Sequence, residues 1–126
     1  MVLVDSDILI QFSRRDVEAA AWLDKTSDSA KLVISAVNEM ELLIGSRDKT
    51  HLKEVRQFIT KFEIIQIDEE ISRRASELIE LYCLSHRLQL PDALIAATAL
   101  VNGFDLGTIN KKDFRFIEGL RLVDYP

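Results

Sequence analysis

Three carboxylates, Asp5, Glu41 and Asp92, stand where a small α/β fold would bring them together. Asp5 ends the apolar run Val2-Leu3-Val4, and Asp92 follows Pro91 at the head of Ala93-Leu94-Ile95-Ala96-Ala97. Glu41 lies in the helix-like stretch after Ser35. An acid at the end of a buried strand, or at the mouth of a buried helix, is costly without a partner. A divalent cation is the most economical partner for several acids at once, because it takes hard oxygen ligands. Acids gathered in this way suit metal-dependent phosphoryl transfer.

The elements that must position these acids follow from the apolar pattern. Short strand-like runs alternate with longer helical stretches, as in a parallel α/β sheet. The sequence predicts strands at Val2–Val4, Leu32–Ile34, Ile64–Ile67, Asp105–Thr108 (weakened by Gly107) and Leu120–Val123. A short helix is expected over Ile8–Ser13, and another from an Asp16 cap to about Thr26. Ser35 should cap a helix carrying Val37, Met40, Leu43 and Ile44, with Gly45 near its end. Further helices are expected over 50–61, after Asp68, and between Pro91 in its first turn and Gly103 at its close. From Ala93 to Val101 only Thr98 is polar, so this last helix should be buried. Asp92 then sits where free backbone N–H groups and the helix dipole favour a carboxylate. In parallel sheets the strand ends and the loops entering helices share one edge, which should bring Asp92 to Asp5.

The totals narrow the class. With 126 residues, 48% of them hydrophobic, 4 Gly and 2 Pro, one domain covering 1–126 with a true core is expected. No apolar run reaches bilayer length. Asp5 and Asp7 interrupt the first apolar stretch, so no signal peptide or membrane association is expected. A lone cysteine, Cys83, excludes an internal disulfide, suits a reducing cytoplasm and reads as a packing thiol. The net charge of −5 argues against a broad electrostatic nucleic-acid binder. It leaves room for an acidic metal site rimmed by cations. The rim candidates are Arg14-Arg15, Arg47 with Lys49 and Lys53, and Lys111-Lys112 with Arg115.

Four blocks of sequence resemble the PIN-domain ribonucleases: Val4-Asp5-Ser6-Asp7-Ile8-Leu9-Ile10, the stretch Ser35–Gly45 around Glu41-Leu42, Leu90-Pro91-Asp92-Ala93-Leu94-Ile95-Ala96-Ala97-Thr98-Ala99, and Thr108–Phe114. Their order and spacing fit over essentially the whole chain, and within the family the chain looks most like the VapC toxins of toxin–antitoxin pairs. The resemblance implies a three-layer α/β/α fold with a central parallel sheet of four to five strands. It implies an endoribonuclease dependent on Mg²⁺, with Mn²⁺ as the alternative, cutting tRNA or rRNA. It also implies neutralisation by a VapB-like antitoxin and a homodimer. Asp5, Glu41 and Asp92 would bind metal, and Asp113 would assist a second cation or orient water. Ser6, Asp7, Thr108 and Asn110 would hold these groups in place.

Two positions need separate treatment. Glu39 and Glu41 each lie about 100° to one side of the apolar stripe, so periodicity does not choose between them. The match of Glu41-Leu42 to the family block selects Glu41, leaving Glu39 as a surface or supporting acid. In the last block many relatives carry an acid where Asn110 stands and an arginine where Ile109 stands. Asp7 should diverge from Asp5 if a turn starts at Ser6, taking a supporting or capping role.

Weaker signals complete the reading. His51 and His86 lack a partner at ligand spacing and read as surface residues. Trp22 reads as a core or interface anchor, and Phe114 and Phe116 as pins for their loop or as base-stacking groups. Two other function classes fit parts of the chain: a receiver-like Mg²⁺-binding phosphoacceptor using Asp68, and a PIN-fold module that binds protein without catalysis. The Asp5-x-Asp7 pair also resembles haloacid-dehalogenase-type phosphatases, for which the chain is short.

Overall fold

The computed structural model describes residues 1–126. In chain order the elements are β1 (Val2–Val4), α1 (Ser6–Ser13), α2 (Val17–Ser29), β2 (Leu32–Ser35), α3 (Ala36–Ile44), α4 (Lys49–Ile59), β3 (Glu63–Ile65), α5 (Glu69–His86), α6 (Leu90–Asn102) and β4 (Asp105–Gly107). A single 3₁₀ turn, Lys111–Asp113, follows. The sheet runs β3-β2-β1-β4 with every pair parallel.

Helices cover both faces, so the central strand β1 is buried throughout. Alternation along it divides the core. Leu3 joins Val33 and Leu106 under α5 and α6. Val2 and Val4 join Ile34 under α1 and α2, with Ile59 of α4. The result is the expected three-layer arrangement. No helix is long and apolar enough to cross a membrane.

Strand ends are set by partners, which is where the observed elements depart from the sequence pattern. β3 stops at Ile65 rather than Ile67 because Ile65 pairs with Ser35, the last residue of β2 before α3 begins. β4 stops at Gly107 rather than Thr108 because Gly107 pairs with Val4, after which Asp5 caps α1. The same cap starts α1 at Ser6, two residues earlier than the apolar pattern suggests. The expected fifth strand shrinks to one bridge between Leu106 and Leu122. It is held by Leu106 N–H to the Arg121 carbonyl (2.8 Å) and Val123 N–H to the Leu106 carbonyl (2.9 Å). Helix ends shift as well. α2 runs on to Ser29, and α4 starts at Lys49 under an Asp48 cap and ends at Ile59. α2 and α6 are each 13 residues long, and each returns to the sheet through two connecting residues.

Gly107 is a requirement rather than a weakness of β4. A Cβ built there would overlap Cη2 of Trp22, a buried core residue whose Nε1–H donates to the Asp124 carbonyl at 2.8 Å. Gly107→Ala should therefore cost about 1–3 kcal/mol, as overpacking does. Thermal unfolding would check this, and adding Trp22→Phe should recover part of the loss. A Gly107→Ala protein as stable as its parent would contradict the packing.

Candidate active site

The chain leaves β1 and enters α1 at Asp5, which is buried and in extended conformation. Its Oδ1 accepts the Ser6 N–H at 2.8 Å and so caps the helix. Its Oδ2 accepts the Thr108 hydroxyl at 2.9 Å, because register places Thr108 just past the end of β4.

The neighbouring passage from β2 into α3 is built in the same way. Ser35 Oγ accepts from Val37 and Asn38 N–H, and Asn38 Oδ1 accepts the Ser35 N–H, closing a capping box. Asn38 is fully buried and its Nδ2 donates to Ser6 Oγ at 2.8 Å. Ser6 Oγ in turn donates to Glu41 Oε1 at 2.7 Å. The chain Asn38–Ser6–Glu41 thus ties α3 to α1 and holds Glu41 against the residue that follows Asp5. Glu39 turns away and pairs with Arg56 at 2.8 Å. Asn38 was not singled out from the sequence, although the Ser35-x-x-Asn38 spacing of a capping box was visible there.

Asp7 does not diverge from Asp5. Its Oδ2 accepts from the Thr108 hydroxyl (3.1 Å), the Ile109 and Asn110 N–H groups (3.1 and 3.2 Å) and Asn110 Nδ2 (3.0 Å). The reason is that Thr108 lies between the two acids, its one hydroxyl proton within reach of both. Asp7 also anchors the loop that delivers Asp113, whose N–H donates to the Asn110 carbonyl at 3.1 Å. The other Asp7 oxygen, Oδ1, is buried with no partner.

Asp92 is half-buried in the first turn of α6, next to Pro91. Burial, with the nearby charges of Asp113, Glu41 and Asp7, pushes its carboxyl up to about 6. Burial also pushes Asp5 up to about 7, aided by Asp7 and, more weakly, Asp92, against the opposing hydrogen bonds from Thr108 and Ser6. Carboxylates from α1, α3, α6 and the 3₁₀ turn therefore act on one another across one sheet edge.

This donor set consists of carboxylate and hydroxyl oxygens, which suits a hard cation. No group of three His, Cys, Asp or Glu side chains is arranged to hold a metal ion by itself. Mg²⁺ does not require one, since it keeps several waters and commonly takes one or two carboxylates. The unpartnered Asp7 Oδ1 and the raised Asp5 and Asp92 both mark unmet negative charge that a cation would relieve.

The remaining candidates have structural employment. Phe114 is buried in the core, and Phe116 stacks on His86 at 4.2 Å, so both pin the loop. His51 Nδ1 accepts the Arg47 N–H at 3.0 Å. Asp68 caps α5 through the Ile71 N–H at 2.8 Å, which removes the motive for a phosphoacceptor there.

Comparison with known proteins gives consistent results. Residues 2–118 match the family model described as PIN domain. The chain is 39% identical over 122 residues to "Ribonuclease VapC10" of Mycobacterium tuberculosis H37Rv, covering 96% of this chain and 91% of that protein. It is 32% identical to "Ribonuclease VapC1" of Rickettsia felis, covering 97% and 94%. Among solved structures it resembles a toxin–antitoxin complex from Klebsiella pneumoniae, with a TM-score of 0.81, 32% identity and 95% of each chain covered. The fold also superposes on VapBC2 of Rickettsia felis, solved with a promoter DNA fragment, with a TM-score of 0.85 at 23% identity and 100% coverage of both chains.

Two outcomes follow from the geometry. Asp5 and Asp92 bind protons more tightly folded than unfolded, so the folded chain holds the extra protons between about pH 4 and 7. In chelator-treated protein, stability should therefore fall as pH rises through that window, by an amount on the order of a few kcal/mol. Asp5→Asn keeps a capping oxygen and should flatten most of that slope in thermal melts at stepped pH. A parent protein that gains stability between pH 5 and 8 would contradict the assignment. Asp7→Ala should release the 108–110 loop, speeding amide exchange at Ile109 and Asn110 by about tenfold or more and costing about 1–3 kcal/mol. Unchanged exchange at those two amides would show that Asp7 does not hold the loop.

Proposed function

The chain belongs to the PIN-domain family, and from that membership and the site geometry we propose that it is a VapC-type endoribonuclease toxin. What supports the reading is the influence of Asp92 on Asp5 and of Glu41 on Asp92, acids that come from separate elements, inside a chain whose relatives are named ribonucleases.

Asp5, Asp92 and Glu41 would hold Mg²⁺, or Mn²⁺ in its place. Bound there, the cation would acidify a water and offset charge on the phosphoryl oxygens during in-line displacement. The chain's own groups do the rest. Thr108 and Ser6 fix the angles of Asp5 Oδ2 and Glu41 Oε1 through their hydroxyl protons. Asp113, exposed at the end of its turn and close enough to raise Asp92, orients the attacking water. Asn110 acts through Asp7, its amide fixing the loop rather than taking the place of an acid. Hydrolysis of this kind leaves a 3′-hydroxyl and a 5′-phosphate, and the 2′-hydroxyl takes no part as nucleophile.

The substrate is RNA, with tRNA or rRNA as the target class. The partner is a VapB-like antitoxin, in keeping with similar chains solved in toxin–antitoxin complexes. A homodimer completes the assembly.

Purified protein with Mg²⁺ or Mn²⁺ should cut tRNA or rRNA, and sequencing of 5′ ends should show monophosphates. A chelator should stop the reaction. Asp5→Asn should lower the rate by at least about a hundredfold, as loss of a charged group in a cation site does, while keeping the native circular dichroism. Isothermal titration with Mn²⁺ should show binding to the parent and weakened binding to the variant. Full activity in Asp5→Asn would sink the assignment.

A further inference from the structure

A groove of about 430 Å³ shares Glu41 with the site and is lined also by Arg14 and Arg47. Leu9, Val55 and Phe58 contribute to its apolar lining. By the rise of an α-helix, Arg14 stands about 12 Å along α1 from Ser6, the residue that holds Glu41. Both arginines are exposed, and neither guanidinium has an ion-pair partner. By contrast Arg56, Arg73, Arg74 and Arg121 are each matched to an acid. Arg15, Arg87 and Arg115 are also unpaired, but of the nine arginines only Arg14 and Arg47 line the groove, beside an acid and in a chain of net charge −5.

We propose that this groove is the substrate subsite for the single-stranded RNA segment flanking the scissile phosphate, with Arg14 and Arg47 taking backbone phosphates. The proposal rests on the endoribonuclease reading above and adds where the strand runs. Its physical basis is charge complementarity. The acids that would hold a cation repel RNA, so attraction must come from cations placed further along the strand. Guanidinium groups bind phosphate through paired charge-assisted bonds. The groove's continuity with Glu41 favours the strand being cut over an unrelated peptide.

The test uses the full chain carrying Asp5→Asn, so that RNA is bound without being cut, and a short labelled mixed-sequence oligoribonucleotide read by fluorescence anisotropy. Adding Arg14→Ala and Arg47→Ala should weaken binding by about tenfold or more. It should also flatten the dependence of log affinity on log salt by about 1.4, for two single-strand phosphate contacts. The corresponding pair of lysine substitutions should retain most of the affinity. Arg73→Ala, which removes an equal charge from α5, should change little. Unchanged affinity and salt slope in the double alanine variant would overturn the proposal, as would an equal loss in Arg73→Ala. Retained RNA affinity with loss of a peptide partner would assign the groove to protein recognition and overturn it too. Cleavage by the parent chain separates the two readings. If the parent cuts RNA with Mg²⁺ or Mn²⁺ and the double variant binds as before, only the subsite fails.

Discussion

Burial of negative charge at the carboxyl edge of a parallel sheet is the constraint around which the molecule is built. Asp5 must leave β1 where the strand is deepest, yet a carboxylate there is stable only if its oxygens are occupied. The fold answers with groups that belong to the backbone frame itself: the first N–H of α1, and a hydroxyl delivered by the end of β4. Glu41 is held by the same logic at one remove, through Ser6 and a buried asparagine that also caps α3. Helix capping and site assembly are thus the same set of hydrogen bonds. The charge that these bonds leave unanswered shows in the raised Asp5 and Asp92 carboxyls.

Much of this was legible in the chain because the acids interrupt strongly apolar surroundings. Asp5 after Val2–Val4, and Asp92 before Ala93–Ala97, could be placed at one sheet edge from pattern alone. Glu41 could not be told from Glu39 by periodicity. Their separate fates depend on Ser6 and Arg56, which are distant in sequence. Asp7 keeps the supporting role expected of it but not the expected divergence from Asp5, for a related reason. Local geometry argued for divergence, but Thr108 arrives from 101 residues away to sit between the two acids. Strand ends were overrun where apolar residues continue past the point at which the neighbouring strand has become a helix. Gly107 read as a defect because nothing local announces that Trp22 will lie against it.

The acidity of the chain and a polyanionic substrate are compatible because the charges are segregated. Four of the nine arginines are neutralised in surface pairs, which contribute little to stability and nothing to attraction at a distance. Arg14 and Arg47 are left free next to the carboxylates. One short groove is lined by both an acid and two bases, a pattern that would orient a strand as well as attract it.

The matched lengths of α2 and α6, and the two-residue links that return each to the sheet, make the helices act as rulers. With so little slack, the span of each helix fixes how far the next strand advances before it ends. One added residue in α6 would swing every later position by about 100° and carry β4, with Thr108 behind it, out of step with β1. The depth of the cleft is therefore written in the length of α2, which gives it no acid, and of α6, which gives it only Asp92.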